Sequence, residues 1–462
     1  MSGPTQRAER CVLAVDLGTG GPKTGFVALN GRVIWSDHVA VATGYDDGGA
    51  ATQDAELWWA IIRDATRRGL AHSGIASEQV VGVSVTGQWA STVPVDADGR
   101  PVGPCVMWMD TRGARYSARV LAGPVQGYRP RALVTWIRRN GGIPTLSGDD
   151  PVGHMLYLQH DDPVVAHAAR WFLEPVDYLS MRFTGRATAS PASMMGAWLT
   201  DNRDLAVLDY DDTLVRLAGV DRAKLPPLVP TGSITGRVTP EVAAELGISP
   251  DARVVTGTPD LHSAAVGSGA VRERELHMTI STTSWISCPL PNKKTDVIRQ
   301  MATVPGIDQS SYLLVNNQDT AGRSLQWLRD NLFGQLDYDG LTALAAEAPP
   351  GSNGVIFTPW LKGEHSPIDD RNARGGFHNL SLATTRADMV RAVLEGVAYN
   401  SRWLLGCVDR FTGGRGPTRS SIRIIGGGAR SDLWCQIMAD VCGRTLERVA
   451  DPLNAQLRGA AR

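Results

Sequence analysis

The alternation of hydrophobic and polar positions predicts that the chain opens with a β-hairpin. Two β-rich runs, residues 11–16 and 24–29, flank a stretch dense in glycine. Helical spacing follows from Glu56, and the apolar run at residues 80–85 is typical of a buried strand that ends at Thr86-Gly87-Gln88. Polar ligands commonly bind at such strand ends in α/β folds, so this edge is a candidate site.

The second half of the chain restarts the pattern of the first. The periodicity is lost in the proline-rich residues 226–230, and we expect a domain boundary within residues 235–258. The elements predicted after it are a strand at 254–260, a hairpin at 277–287, a helix at 388–403, a strand at 421–425, and a glycine turn with a helix at 426–441. We therefore predict two domains of similar architecture, residues 10–245 and 246–462.

Length and charge narrow the function classes. The 462 residues exceed the roughly 250–300 at which single cores stop growing. With 46 Lys and Arg against 47 Asp and Glu, no basic field is available to collect nucleic acid or anionic membrane. Residues 1–10 are polar, and the chain contains no apolar run of about 20 residues. These features argue against a signal peptide and a membrane anchor, so we expect a cytoplasmic protein.

The glycine stretch after the first strand has the composition of a phosphate site. Asp16 ends the strand, and Gly18, Thr19 and Lys23 follow within eight residues. Backbone N–H groups in such a turn can cradle phosphate oxygens, Thr19 can donate to them, and Asp16 can hold Mg²⁺ through water. Taken alone, the stretch fits an ordinary glycine turn equally well.

A second glycine turn lies near the end of the chain. A strand runs into a triplet and then a helix, with Gly426, Gly427, Gly428, Ala429 and Ser431 at the junction. Glycines let a flat base and ribose approach the backbone, and a helix N-terminus favours anionic groups. A tight strand-to-helix connection is the alternative.

In order and spacing, the two turns resemble the phosphate and adenosine motifs of the actin-like ATPase superfamily, and within it the FGGY carbohydrate kinase family, xylulose kinases included. Further stretches carry the resemblance: Thr86-Gly-Gln-Trp, Met107-Trp-Met-Asp-Thr-Arg112, residues 357–367, and Gly375-Gly-Phe-His-Asn-Leu followed by Arg391-Ala-Val-Leu-Glu-Gly. The resemblance implies an α/β fold of two actin-like (ribonuclease H-like) domains with an interdomain active-site cleft. It also implies ATP-dependent phosphorylation of a substrate hydroxyl with Mg²⁺.

The resemblance implies that Asp260 is the catalytic aspartate and that Thr283, Ser284 and Gly322 contact the phosphates. Phosphoryl transfer needs mainly positioning and charge stabilisation, with a carboxylate to accept the proton of the attacking hydroxyl. Asp260 follows a predicted strand and suits that role. An aspartate that only caps the helix before Ser263 is the alternative interpretation.

Substrate binding is expected near the end of the strand at residues 80–85. The resemblance points to Gln88 and Trp89, with Trp108 and Asp110 nearby, and His262 lies two residues past Asp260. Trp89 can offer a sugar an apolar face while Gln88 and Asp260 supply hydrogen bonds. Either tryptophan could instead belong to the core.

Three departures from the family pattern affect the hypothesis. Thr282 stands where the family has glycine, and a β-branched residue cannot take a positive φ cheaply. Trp89-Ala90 replaces a Met-His pair, which weakens a xylulose assignment. The sequence from Asp451 resembles the start of a family helix that normally continues, so we expect the C-terminal helix to be short or missing.

The sequence therefore predicts an ATP-dependent kinase for a small carbohydrate, either a ketopentose such as xylulose or another ketose or polyol. The alternatives are a catalytically impaired actin-like nucleotide-binding protein and a kinase for some other hydroxylated small molecule. The expected partners are a small-molecule substrate and, because similar kinases are often dimers, a second copy of the chain.

Overall fold

The structure is a computed structural model that describes residues 9–413 and 421–462, so most of the polar N-terminal stretch lies outside the described residues. The chain divides into two compact units. The first unit contains the residues up to 267 together with 304–311 and 456–462, and the second contains 268–303 and 312–455. Asp260, which the sequence analysis assigned to the second predicted domain, lies in the first of these units.

The strands of the first unit are β1 (Cys11–Gly18), β2 (Gly21–Ala28), β3 (Val33–His38), β4 (Gly44–Tyr45), β5 (Ala51–Gln53), β6 (Val80–Gly87), β7 (Val93–Val95), β8 (Cys105–Val106), β9 (Ala122–Val125), β10 (Trp171–Leu173), β11 (Ile234–Arg237), β12 (Arg253–Val255) and β13 (Thr258–Pro259). Seven of them form a mixed sheet with the order β11-β12-β6-β1-β2-β3 and with β13 paired to β6. Strands β1, β12 and β13 run parallel to β6, and β2 runs antiparallel to β1.

Helices cover this sheet and form a second cluster beside it. They are α1 (Ala55–Ser73), α2 (Ala114–Leu121), α3 (Pro130–Arg139), α4 (Pro151–Asp161), α5 (Pro163–Ala168), α6 (Pro175–Thr184), α7 (Asp212–Ala218), α8 (Pro240–Leu246) and α9 (Asp260–Ser268). Local signals set their ends: Asp54 caps α1 through the N–H of Glu56, and Gly74 closes it in the left-handed conformation. The buried face of α1 packs on the sheet with Trp58 and Ile62.

The strands of the second unit are β14 (His277–Ile280), β15 (Ser284–Ser287), β16 (Pro289–Leu290), β17 (Thr295–Asp296), β18 (Met301–Pro305), β19 (Tyr312–Val315), β20 (Ile356–Thr358), β21 (Gly376–His378), β22 (Ile422–Ile425) and β23 (Leu446–Arg448). They form a four-stranded sheet with the order β15-β14-β22-β23, a sheet of β16-β19-β18-β17, and the pair β20-β21. The helices are α10 (Gly322–Leu332), α11 (Tyr338–Glu347), α12 (Arg386–Phe411) and α13 (Asp432–Cys442). A last helix, α14 (Ala455–Ala460), belongs almost entirely to the first unit.

Most predicted elements are confirmed, with different bounds. Both hairpins form, although the first needs only Thr19 and Gly20 as its turn. Helix α12 extends beyond the predicted 388–403, because a capping box between Thr385 and Asp388 starts it earlier and apolar positions continue to Phe411. The helices found among the described residues are all too short or too polar to cross a bilayer.

The predicted strand at residues 254–260 is confirmed in part, because the structure interrupts it and makes its last residue helical. The structure breaks it into β12 and β13, and Asp260 begins α9 instead of ending a strand. The break lies at Gly257, where an added Cβ would come within 2.8 Å of the backbone of Val176 in α6. The chain passes close to α6 here, and its pairing with β6 stops after Val254 and resumes at Thr258.

Candidate active site

Strand β6 ends between two chain segments that each carry an aspartate. Asp16 of β1 pairs with Thr86 on one side of β6, and Thr258 of β13 pairs with Thr86 on the other side. Asp260 follows β13 directly as the first residue of α9. The sheet register thus brings both predicted carboxylates to the carboxyl end of one strand, where α/β folds commonly bind ligands.

Burial raises the pKa of both carboxyl groups. The pKa of Asp260 is raised to about 7, first by burial and second by the negative charge of Asp16. Burial also raises the pKa of Asp16, although the positive charges of Lys23 and His38 oppose that rise. Lys23 lies directly opposite Asp16 in the β1–β2 ladder. A carboxyl group with a pKa near 7 is well matched to accept a proton at neutral pH.

Two hydroxyl groups fix the start of α9 to the end of β6. The Thr86 Oγ1 lies 2.9 Å from the carbonyl oxygen of Thr258 and 2.8 Å from the Ser263 Oγ. The Ser263 Oγ lies 3.0 Å from the carbonyl oxygen of Asp260. These two residues hold the backbone on which Asp260 stands, and sequence reasoning missed this role. A hydroxyl residue three positions after an aspartate at a strand-to-helix junction was the available signal.

Three of the predicted phosphate and sugar residues of the first unit, Thr19, Gln88 and Trp108, share one network. Trp108 donates from its Nε1 to the Thr19 Oγ1 over 3.0 Å, and Thr19 lies 3.5 Å from the Gln88 Oε1. The Gln88 backbone N–H donates to the Leu17 carbonyl oxygen over 2.8 Å. The Gln88 Nε2 is buried and has no hydrogen-bond partner among residues 9–413 and 421–462. A buried amide donor without a partner fits a ligand hydroxyl, because leaving it unpaired is costly.

The remaining predicted sugar residues have different surroundings. Trp108 is 37% exposed and Trp89 is half-buried, so neither is part of the closed core. Asp110 is fully buried, and its oxygens accept hydrogen bonds from the Arg112 guanidinium at 2.7–3.1 Å and from the Ala51 N–H at 2.9 Å. His262 is buried with its Nε2 2.8 Å from the Pro305 carbonyl oxygen, and burial lowers its pKa to about 4. Its imidazole is therefore neutral at pH 7.

In the second unit, the tip of the β14–β15 hairpin rests on the start of α10. The carbonyl oxygen of Thr282 accepts from the N–H groups of Ala321 (3.0 Å) and Arg323 (3.3 Å). Gly322 donates to the Ser281 carbonyl oxygen over 2.7 Å, and a Cβ there would come within 2.4 Å of that oxygen. Neither Thr282 nor Thr283 has a positive φ, so the threonine in place of the family's glycine carries no left-handed strain.

The glycine triplet lies beside this hairpin, because β14 and β22 are parallel neighbours. Gly426 has a φ of 92°, and an added Cβ would lie 2.5 Å from the Ile280 carbonyl oxygen. At Gly428 the Cβ would lie 2.4 Å from the Ile280 Cγ2, whereas at Gly427 the nearest atom is 4.0 Å away. The outer two glycines are thus required by packing, and Gly427 leaves an open face of backbone.

The helix that follows the triplet begins with a side-chain cap. The Ser431 Oγ accepts from the Trp434 N–H over 3.1 Å, and Ala429 is fully buried. The second unit therefore brings together all of the predicted nucleotide residues that it contains: Thr283, Ser284, Gly322, Gly426, Gly427, Gly428, Ala429 and Ser431.

Sequence reasoning also missed a buried carboxyl group in the second unit. Glu364 accepts hydrogen bonds from the N–H groups of Asp319 (3.1 Å) and His365 (2.9 Å) and from the Asn400 Nδ2 (2.5 Å). Burial raises its pKa to about 7. Glu364 thereby ties the segment before α10 to the long helix α12. The sequence signal that could have found it was a charged residue inside residues 357–367, a stretch that resembles the family.

The described residues contain no group of three or more His, Cys, Asp or Glu side chains placed to hold a metal ion unaided. Asp16 and Asp260 together still offer carboxylate oxygens, the donor type that Mg²⁺ prefers. Because Mg²⁺ usually keeps several waters and takes further oxygens from substrate phosphates, such a pair fits an ion bound together with a nucleotide.

Comparison with known proteins covers nearly the whole chain. Residues 11–267 match the N-terminal domain, and residues 276–462 the C-terminal domain, of the FGGY family of carbohydrate kinases. A xylulose kinase from Staphylococcus epidermidis is 28% identical over 441 residues, 95% of this chain and 84% of that protein. A gluconokinase from Bacillus subtilis is 26% identical over 450 residues, 93% of this chain and 82% of that protein. The crystal structure of a xylulose kinase from Rhodospirillum rubrum superposes with a TM-score of 0.81 at 26% identity, covering 98% of this chain and 88% of that one.

Proposed function

Because this chain belongs to the FGGY family of carbohydrate kinases, we propose that it transfers the γ-phosphoryl group of ATP to a hydroxyl of a neutral ketose or polyol, with Asp260 as general base. The family, the mixed α/β fold with two FGGY domains, and the activity of a carbohydrate phosphotransferase are confirmed predictions. Kinases of this family use ATP. The acceptor and the residue roles are our proposal.

The observation that carries the proposal is the placement of Asp260. It stands at the carboxyl end of β6, on backbone held by Thr86 and Ser263, with its pKa raised to about 7. In the proposed reaction, the acceptor oxygen forms a bond to the γ-phosphorus while the bond from that phosphorus to the bridging oxygen breaks. The bond's electron pair leaves with ADP, and Asp260 takes the hydroxyl proton.

The two units supply different parts of this chemistry. In the first, Asp16 would hold Mg²⁺ through water, and Thr19 and Lys23 would contact phosphate oxygens. When bound, the ion would neutralise charge on the transferred phosphoryl group. In the second, the glycine triplet and Ser431 would hold adenosine, and the turn at Thr283 and Ser284 would contact phosphates through its hydroxyl and N–H groups.

The surroundings of Gln88 favour a neutral acceptor over a sugar acid. The unpaired Gln88 Nε2 can donate to a sugar hydroxyl, and Trp89 and Trp108 offer apolar faces. Asp16 and Asp260 stand at the same strand end, so the carboxylate of a substrate such as gluconate would be a third carboxyl group there and would be repelled by the other two. Asp110 would contribute indirectly, by holding Arg112 and the backbone of Ala51.

The alternative of an impaired nucleotide-binding protein rested partly on Thr282. Because that residue has a negative φ, its β-branch costs the turn nothing. Asp16, Lys23 and Asp260 all stand at the end of the sheet where catalysis would need them. These observations favour the active kinase.

The test is an ADP-release assay with Mg-ATP over ketopentoses, ketohexoses, polyols and gluconate, run beside Asp260→Ala. We expect turnover on a neutral ketose or polyol that falls by about 10²–10⁴ in the variant, the usual contribution of a general base. Turnover on gluconate alone would replace the neutral acceptor with a sugar acid. Measurable ATP binding with no turnover on any compound would contradict the kinase proposal.

A further inference from the structure

The segment that carries Gln88 and Trp89 turns sharply at the next residue. Ala90 has a φ of 60°, a left-handed conformation that residues other than glycine rarely adopt. The turn is also packed closely, because a Cβ on Gly196 would lie 3.0 Å from both the Ala90 Cβ and the Trp89 Cε3. Something must hold Ala90 in this conformation, since its own side chain disfavours it.

A buried carboxyl group holds it. The Glu174 Oε2 accepts from the Ser91 N–H over 3.2 Å, and burial raises the pKa of this carboxyl group well above its usual range. N–H groups beside a left-handed residue point into a concavity that accepts oxygen ligands, and here the Glu174 carboxyl group occupies that concavity. The left-handed residue Ala90, the Ser91 N–H that follows it and the Glu174 carboxyl group form what we call the carboxyl clasp.

Glu174 is itself placed by the fold. It follows β10, whose residue Leu173 pairs with Val93 of β7, two positions beyond Ser91. It also stands at the N-terminal boundary of α6 and is 1% exposed. A strand and a helix therefore fix Glu174 opposite the turn, and the carboxyl group cannot leave for solvent.

We propose that Glu174 is a positioning residue for the acceptor sugar, which it serves by fixing the Ala90–Ser91 turn and through it Trp89 and Gln88. The inference rests on the proposed function, in which those two side chains contact the sugar. The Ser91 Oγ also accepts from the Trp108 N–H over 3.0 Å, so the same turn helps to position Trp108. Loss of the clasp should disturb the acceptor side of the reaction and leave the nucleotide side intact.

The first variant is Glu174→Gln, which keeps the shape of the side chain but replaces one carboxyl oxygen with an N–H₂ group that cannot accept from the Ser91 N–H. We expect the KM for the acceptor to rise about tenfold, as misplacement of binding groups commonly causes, with the KM for ATP unchanged within about twofold. The matched control is Asp150→Asn. Asp150 is also a buried carboxyl group that accepts from two backbone N–H groups, Gly153 and Thr145, and it caps α4. It should change stability and leave both KM values alone.

A second measurement reports on the clasp without activity. Hydrogen exchange of the peptide that contains Trp89, Ala90 and Ser91 should be faster in ligand-free Glu174→Gln than in the wild type or in Asp150→Asn. If Glu174→Gln folds poorly, the double variant Glu174→Gln/Ala90→Gly tests the same idea, because glycine adopts the left-handed turn unaided. The double variant should recover part of the lost acceptor affinity.

The outcomes separate the two proposals. Unchanged exchange at residues 89–91 and an unchanged acceptor KM in Glu174→Gln would overturn the clasp. An equal rise in both KM values would also overturn it, since a general structural defect predicts that result. Faster exchange in the variant together with a wild type that phosphorylates no compound would uphold the clasp and reject the proposed kinase function.

Discussion

Asp260 lies at the start of α9, where burial and the charge of Asp16 raise its pKa to about 7. Asp98, by comparison, is exposed in a turn. The two residues are chemically the same, so their surroundings make one of them a candidate base. Keeping this buried carboxylate charged costs free energy in the folded state, so replacing it should change the measured free energy of unfolding.

We expect Asp260→Asn to lose activity and to gain stability at pH 8. A folded-state pKa above the unfolded value means that the folded protein binds this proton more tightly, so this group's contribution to stability decreases as pH rises from about 4 to about 7. One pKa unit corresponds to about 1.4 kcal/mol, and partial exposure reduces the effect, so a gain of about 1–2 kcal/mol is reasonable. Chemical denaturation at several pH values measures it, and the gain should vanish near pH 4.

The control for this experiment is Asp98→Asn, which should show no such pH-dependent gain. A variant Asp260→Asn that is less stable than the wild type at pH 8 would contradict the raised pKa.

At the scale of elements, β14, its hairpin turn and the β22 glycine turn form one surface in the second unit. Ile280 at the end of β14 lies against Gly426 and Gly428, and the hairpin tip lies against α10. Close packing against Ile280 requires glycine at two of the three positions, Gly426 and Gly428. Only Gly427 combines a negative φ with an open approach, so it is the member of the triplet that a nucleotide can reach.

The triplet therefore predicts two different phenotypes. Gly427→Val should raise the KM for ATP about tenfold by filling the open face, with little change in Tm. Gly426→Ala should instead lower stability by about 1–3 kcal/mol, because its φ is positive and its Cβ would overlap the Ile280 carbonyl oxygen. ATP titration and thermal unfolding on both variants give the answer. The idea fails if Gly427→Val destabilises the protein and leaves ATP binding unchanged.

On the scale of the whole molecule, the first unit is assembled from distant parts of the chain. Helix α14 packs there, with Leu457 against Ala14 of β1 and Val27 of β2. Its Gly459 lies against α9, where a Cβ would come within 1.8 Å of the Ser263 carbonyl oxygen. The same short helix thus supports the strand that carries Asp16 and the helix that begins with Asp260.

Gly459→Ala should loosen this support. Overpacking costs about 1–3 kcal/mol, and we expect faster hydrogen exchange in β1 and α9, with α12 and α13 unchanged. Gly406→Ala is the matched control, because its Cβ would lie 3.9 Å from the nearest atom within α12. It should stabilise the helix by about 0.5–1 kcal/mol. Equal exchange in wild type and Gly459→Ala would contradict the proposed support.

The sequence alone predicted both hairpins, the strand leading to Gln88, and the two glycine turns, because each depends on local patterning and turn chemistry. It also predicted a strand leading to Asp260, although it extended that strand too far and gave the helix that follows only in the alternative interpretation. Thr86, Ser263 and Glu174 carried no local signal strong enough to separate them from ordinary structural residues. The contacts of Thr86 with Thr258 and Ser263, and of Glu174 with Ser91, join residues between 83 and 177 positions apart, and no local pattern encodes such a distance.

What the sequence determined by itself is the set of chemical groups and their order along the chain: two aspartates, two glycine turns and a Gly-Gln element, in a spacing that identifies the family. The tertiary structure decided which of these groups meet. Pairing of β1 and β13 with opposite sides of β6 put Asp16 and Asp260 together, and burial there raised the pKa of Asp260. Desolvation, charge proximity and close packing depend on distances between residues remote in sequence, and only the folded chain fixes those distances.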